Sequence, residues 1–171
     1  MAILPVRLFG DPVLRQEARP VETFDDRLRA LADNMMETMK AHNGLGLAGN
    51  QVGVLQRIFT WEEPDLEAQG AVINPLVEWT SEEQQEGDEG CLSFPGLFYP
   101  TKRPLEVVMK GLDPHGEELT LEGAGLLARI ILHEIDHLNG VLFIDHLALH
   151  DRKAAMKRIR AGELEQNQLR L

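Results

Sequence analysis

The segment HEIDH at residues 133–137 limits the possible folds more than any other stretch of the chain. It closes a helical pattern that runs from about Gly123 to Leu138 and is stopped by Asn139-Gly140. Leu126, Ile130, His133 and His137 are spaced four, three and four apart, so they share one helical face. The two imidazoles therefore continue an apolar stripe, and a fold that buries the stripe must bury them too. Residues i and i+4 lie one turn apart and can converge on a single ion. Glu134 sits about 100° around the helix from His133, where it can reach a water beside that ion without being a ligand. Two ligands and a neighbouring carboxylate are the working parts of HExxH hydrolases. Two histidines at this spacing also serve simply as hydrogen-bonded core residues, so a metal site needs a third ligand.

Downstream, residues 138–144 (LNGVLFI) hold no ligand, and the next candidates, Asp145 and His146, lie in what reads as a partly buried extended segment. Upstream, EGCLS at 89–93 contains Cys91, the only cysteine of 171 residues. As a small buried hydrophobe that thiol needs no further role. As a thiolate it completes a Cys-His-His set with the fourth position open for water, which is a catalytic arrangement. A third segment, GLGLAGNQ at 44–51, reads as irregular because of its glycines. It is not a phosphate loop, since it lacks GK[ST] and follows a helix. Its backbone can approach a substrate closely, and the Gln51 amide can donate to a developing oxyanion.

Around these segments, Leu28, Leu31, Met35 and Met39 mark a helix from about Asp25 to His42, capped by Thr23 or Asp25. Val6 to Phe9 reads as an edge strand. Further strands are expected at Arg57–Trp61, Ala71–Asn74, Leu105–Lys110 and Glu118–Leu121, the last two joined by the turn at 113–116 (DPHG) into a hairpin. Residues 151–171 read as a C-terminal helix. The expectation is one α+β domain over 1–171, with antiparallel β-sheets packed around a central metal-binding helix that carries HEIDH. An N-terminal helix and the helical tail 151–171 complete it.

Seventeen basic residues against 28 acidic ones give a net charge of −11, which argues against a broad nucleic-acid footprint. The lone thiol suits a reducing compartment. With no long apolar run, a soluble cytoplasmic protein that engages neither membrane nor DNA is expected.

Taken together, GLGLAGNQ, EGCLS and HEIDH, in this order, resemble the three motifs of the peptide deformylase family. DPVLRQEARPV near the start, INP at 73–75 and HEIDHLNGVLF followed by Asp145 extend the likeness over nearly the whole chain. The resemblance implies Cys91, His133 and His137 as ligands of one divalent metal ion and Glu134 as general base and acid. It implies Gln51 and the backbone N–H of Leu92 as donors to the formyl oxygen. Leu45, Gly46 and Glu89 would line the channel and pair with the substrate backbone, while Leu126, Arg129 and Ile130 would receive the methionine side chain. Asp136 with Arg103 resembles a buried supporting pair.

The reaction so implied removes the formyl group from the N-terminal methionine of new polypeptides and releases formate. The family implies Fe²⁺ in the cell, with Zn²⁺, Ni²⁺ or Co²⁺ in purified protein. Arg152, Lys153, Lys157, Arg158 and Arg160 form a basic run in the tail, either a solvated face or a means of docking on the ribosome near its exit tunnel. The chain departs from the family at Gly49, usually alanine, and at Asn50, usually proline or threonine. Gly49 is expected to loosen the loop that carries Gln51, by ~0.5–1 kcal/mol. Leu132 replaces a frequent glutamine. Alternatives are a general HExxH peptidase and a non-catalytic metal-binding or ribosome-associated relative.

Overall fold

The computed structural model of the chain describes residues 1–169. Its regular elements are α1 (Asp26–Ala41), β1 (Gly46–Ala48), β2 (Ile58–Glu63), β3 (Ala68–Thr80), β4 (Gln84–Gly90), β5 (Phe98–Pro104), β6 (Glu106–Leu112), β7 (Glu118–Ala124), α2 (Leu126–Leu138), α3 (Leu149–Arg160) and α4 (Glu163–Gln168). The Asp25 carboxylate caps α1 by accepting the Leu28 N–H at 3.0 Å.

Five antiparallel strands form one sheet in the order β1-β2-β3-β6-β7, and β4 pairs with β5 in a separate hairpin. Helices cover both faces of the large sheet. Side chains alternate along β2, so Ile58 packs with Met35, Met39 and Leu28 of α1, while Phe59 and Trp61 pack with Leu127, Ala128 and Ile131 of α2. That double covering explains why Ile58, Phe59, Thr60 and Trp61 are all buried. On its other side α2 meets β5, so the helix lies enclosed between sheet and hairpin. A third cluster joins Phe94 and Leu97, which follow β4, to Leu142, Phe143 and Ile144 after α2 and to Ala155 and Leu164 of the tail. Phe9 stacks on Phe94, whose edge meets the Phe143 ring. An α+β fold around a central helix is therefore present as expected.

Several local expectations are corrected. Val6–Phe9 forms no strand: Arg7 N–H donates to Gln51 and Phe9 N–H to Ser93, two different segments, so no ladder develops. GLGLAGNQ is not irregular but supplies β1 and a 3₁₀ turn over Gly49–Val52. The central helix starts at Leu126, because Gly123 and Ala124 still pair with Val107 and Glu106 in the sheet. Residues 143–146 wind into a 3₁₀ turn instead of running extended. The tail is two helices, broken at Gly162 with φ +80°, and its last two residues lie outside the described ones. The hairpin β4–β5 is an addition that the sequence did not suggest.

Candidate active site

The hairpin and α2 bring the predicted ligands together. Cys91 follows the last residue of β4, and its Sγ lies 3.2 Å from His137 Nε2. His137 Nε2 is in turn 3.2 Å from His133 Nε2. The three ligand atoms all lie within 4.8 Å of one another, the one such group of His, Cys, Asp and Glu among the described residues. The tautomer of His133 is fixed by its surroundings. Its Nδ1 lies 2.9 Å from Glu89 Oε2, and an ionised carboxylate only accepts, so Nδ1 carries the hydrogen and Nε2 presents its lone pair. A thiol sulfur and two imidazole nitrogens aimed at one point fit a divalent transition metal.

Glu134 is 3% exposed, and its Oε2 is buried without a hydrogen-bond partner. Burial pushes its carboxyl up to about 7. Across from it lies Gly46 of β1, whose missing side chain leaves the room that Oε1 occupies. Gln51, in the turn after β1, is also fully buried. Its Oε1 accepts the Ala48 N–H at 2.9 Å, which turns the amide nitrogen toward Cys91 Sγ (3.4 Å) and Ser93 Oγ (3.2 Å).

Glu89 lines the cleft as expected, but its carboxylate is engaged within the protein, which leaves its backbone to face a substrate chain. Strand alternation turns it inward from β4, while its neighbour Asp88 stays exposed. Glu89 Oε1 accepts from Arg103 Nε (3.1 Å) and Arg129 Nη1 (3.0 Å). Oε2 accepts from Arg103 Nη2 (2.7 Å) and His133 Nδ1 (2.9 Å). Burial alone would raise this carboxyl, but the hydrogen bonds from His133 and Arg103 outweigh it and hold Glu89 far below the usual carboxylate range.

Arg129 also donates to the Thr101 carbonyl at 2.9 Å, so its guanidinium faces the hairpin and its stem forms cleft wall. Arg103 pairs with Asp136 Oδ2 at 2.6 Å; the arginine is buried and the aspartate half-buried.

The cleft has a volume of about 490 Å³ and is walled by Leu45, Leu92, Phe98, Leu126, Arg129 and Ile130, with Gly46, Gln51 and Glu134 on its floor. Asp145 and His146 do not approach the ligand cluster: Asp145 pairs with Arg15 and His146 with Asp136. Sequence reasoning gave no role to Ser93 and missed the contacts of Asn50 and His146. Ser93 sits inside a quoted motif without a role. Asn50 is buried and donates to the Gln16 carbonyl at 2.7 Å, tying the Gln51 turn to the N-terminal segment, a long-range contact with no local signal.

The fold and this site are those of a metal-dependent amide hydrolase, with one cysteine from upstream and two helical histidines placed where they could hold the ion. The family model described as Polypeptide deformylase matches residues 3–153. A peptide deformylase of Acidothermus cellulolyticus is 52% identical over 163 residues, which cover 95% of this chain and 89% of that protein. The crystal structure of a peptide deformylase from Legionella pneumophila superposes with a TM-score of 0.89 at 37% identity, covering 96% of this chain and 97% of that one. The peptide deformylase from Ehrlichia chaffeensis, solved in complex with actinonin, gives 0.90 at 37% identity over 95% and 99% of the two chains.

The chain belongs to the polypeptide deformylase family. Its activity is that of the family, metal-dependent hydrolytic removal of formyl groups from nascent peptides; neither a general peptidase nor a non-catalytic relative is favoured.

Proposed function

We propose that Cys91, His133 and His137 hold the divalent ion of this deformylase and that Glu134 moves the protons of the reaction. The observation that carries this reading is the convergence of one sulfur and two Nε2 atoms beside a buried, unpartnered carboxylate. Bound there, the ion supplies Lewis-acid chemistry, acidifying a water and polarising a carbonyl oxygen. Glu134 accepts the proton of the attacking water and delivers it to the departing amine nitrogen, a task suited to a carboxyl raised toward neutrality. Gln51 Nε2 and the Leu92 N–H stabilise the negative charge that develops on the formyl oxygen. The Ala48 N–H fixes the Gln51 amide, so this donor is oriented before substrate arrives. Formate leaves, and the peptide keeps a free amino terminus.

Leu45 and Gly46 offer backbone along the cleft to the substrate chain. Leu126, Ile130 and the Arg129 stem receive the methionine side chain, an apolar surface suited to an unbranched thioether. The ion in the cell is Fe²⁺ by family resemblance. The donor set also suits Zn²⁺, Ni²⁺ and Co²⁺, and affinity order alone favours Zn²⁺ over Fe²⁺.

Formate release from a formyl-Met peptide tests the reading, with protein loaded anaerobically with Fe²⁺ or Ni²⁺. Native protein turns over, and Glu134→Ala keeps one metal per chain while kcat falls by about 10²–10⁴. Undiminished turnover by Glu134→Ala would remove Glu134 from the mechanism.

The whole chain acts as one catalytic domain with its helical tail. No helix among the described residues is long and apolar enough to cross a membrane. A cysteine kept as a metal ligand suits the reducing cytoplasm, where formylated nascent chains arise. Lys153, Lys157 and Arg160 are exposed on α3 and would meet ribosomal RNA near the exit tunnel. Charge reversal at these three positions abolishes co-sedimentation with ribosomes on this reading; unchanged co-sedimentation rejects it.

A further inference from the structure

An unbroken run of hydrogen bonds leads from the protein surface to His133. It begins at His146, whose side chain is 37% exposed and whose Nε2 lies 2.8 Å from Asp136 Oδ2. Asp136 is paired with Arg103 and ionised, so His146 Nε2 must carry the hydrogen and donate it. The same nitrogen is 3.4 Å from Arg103 Nη1; both are donors, so no bond joins them. Asp136 Oδ2 thus accepts two donors, His146 Nε2 and Arg103 Nη1 (2.6 Å). Arg103 grips Glu89 with its Nε and Nη2, and Glu89 Oε2 receives the Nδ1–H of His133. Three separate elements contribute: the turn after α2, the hairpin, and α2 itself.

The geometry makes His146 more than a surface decoration. Asp136 is 23% exposed at its side chain, so water competes for its carboxylate, and His146 is the donor that holds Oδ2 against the guanidinium. Where that oxygen sits decides where Arg103 sits, because two carboxylates pull on one planar cation from different sides. The position of Arg103 in turn sets the tilt of Glu89, and the carboxylate beyond a ligating imidazole sets ring orientation and basicity. We propose that His146 is a positioning residue for His133: through Asp136, Arg103 and Glu89 it keeps the imidazole in its Nε2-ligating orientation and strengthens its donation. This inference rests on the assignment of His133 as a metal ligand.

The test compares native protein with His146→Phe and His146→Gln, each loaded with Co²⁺. Three quantities are read: the rate of Co²⁺ transfer to excess chelator, the visible spectrum, and kcat apart from KM. His146→Phe removes the donor at a partly exposed position. It releases Co²⁺ about 3–10-fold faster, less than the 10–100-fold typical of a direct partner of a ligand. Its visible band shifts, and kcat falls while KM holds. His146→Gln restores an N–H toward Asp136 and recovers release to within about twofold of native.

A phenylalanine variant with native release rate and spectrum overturns the inference. So does one that only lowers the thermal midpoint of the metal-free chain, because His146 would then be merely structural. Native protein that takes up no Co²⁺ overturns the ligand assignment itself and this inference with it, which separates the two failures.

Discussion

Gly46 and Glu134 meet across the cleft floor at a distance that only glycine permits. A Cβ built on Gly46 would overlap Glu134 Oε1 and press on its Cγ and Cδ at 2.8 and 2.7 Å. The backbone of β1 is thereby one wall of the slot that holds Glu134. Gly46→Ala should push the carboxylate out of line, lowering kcat by about 100-fold or more while metal content stays at one per chain. Steady-state kinetics with metal analysis checks this, and an alanine variant with native kcat would show that the slot is not needed.

Gly49 behaves differently from its sequence expectation. A Cβ there would stand 2.7 Å from the Val54 carbonyl oxygen and 2.8 Å from that of Gln56, both rigid backbone. The glycine lets the Val54–Gln56 backbone close on the turn that carries Gln51. Gly49→Ala, a return to the family's usual residue, should destabilise this chain by about 1–3 kcal/mol through overpacking. Urea unfolding gives the number directly, and an alanine variant as stable as native would mean that the Val54–Gln56 turn yields.

Arg103 and Glu89 are each about 4% exposed and face each other through two hydrogen bonds. Arg103→Met keeps the stem and removes the charge, leaving Glu89 with only Arg129 and His133 and depriving Asp136 of its buried partner. Breaking a buried pair on one side costs about 3–5 kcal/mol. Chemical denaturation of metal-free protein should show a loss of this size, and faster metal release should accompany it. A loss below 1 kcal/mol on the same scale would mean that water has entered to solvate Glu89.

Asp145 links acid stability to one surface pair. Burial tends to raise its carboxyl, but two hydrogen bonds from Arg15 and one from the Leu142 N–H outweigh it and hold the carboxyl below its ordinary value. A folded value below the unfolded one means the ionised form favours folding. This contribution is complete above the unfolded value of about 3.9 and is lost as pH falls through the lower folded value. The thermal midpoint should therefore fall between pH 5 and 3 less steeply in Asp145→Asn than in native protein. Equal slopes would assign the acid loss elsewhere.

The residues that could be read in advance are those whose neighbours are apolar. α1 and α2 announce themselves by Leu28, Met35 and Met39 and by Ile130, His133 and His137, because a buried helical face must repeat every three or four residues; Leu126, read as part of the second stripe, is 40% exposed at the cleft. The same holds for β2 and for the hairpin of β6 and β7. The hairpin of β4 and β5 was silent for the opposite reason. Its inward positions are Glu89, Thr101 and Arg103 instead of valines and isoleucines, so no apolar alternation marks it. Glu89 faces inward to meet His133 and Arg103 to pair with Glu89, so the part of the fold hardest to predict is the part that serves the site. β1 was obscured likewise by glycines kept for clearance around Glu134 and Leu92. Cys91, His133 and His137 were legible as chemistry, whereas the occupation of Glu89 by two arginines depends on contacts across 14 and 40 residues that no local pattern encodes.

The distance along the chain between Cys91 and His137 also fixes a sequence of events. The trio exists only when the end of β4 has docked on a helix whose His137 lies 46 residues after Cys91. During synthesis the thiol emerges first and travels as an ordinary nucleophile, open to oxidation, until α2 has left the ribosome and closed over it. Assembly of the trio is thus a late step in the folding of a newly made chain, and the thiol stays open to oxidation until that step is complete.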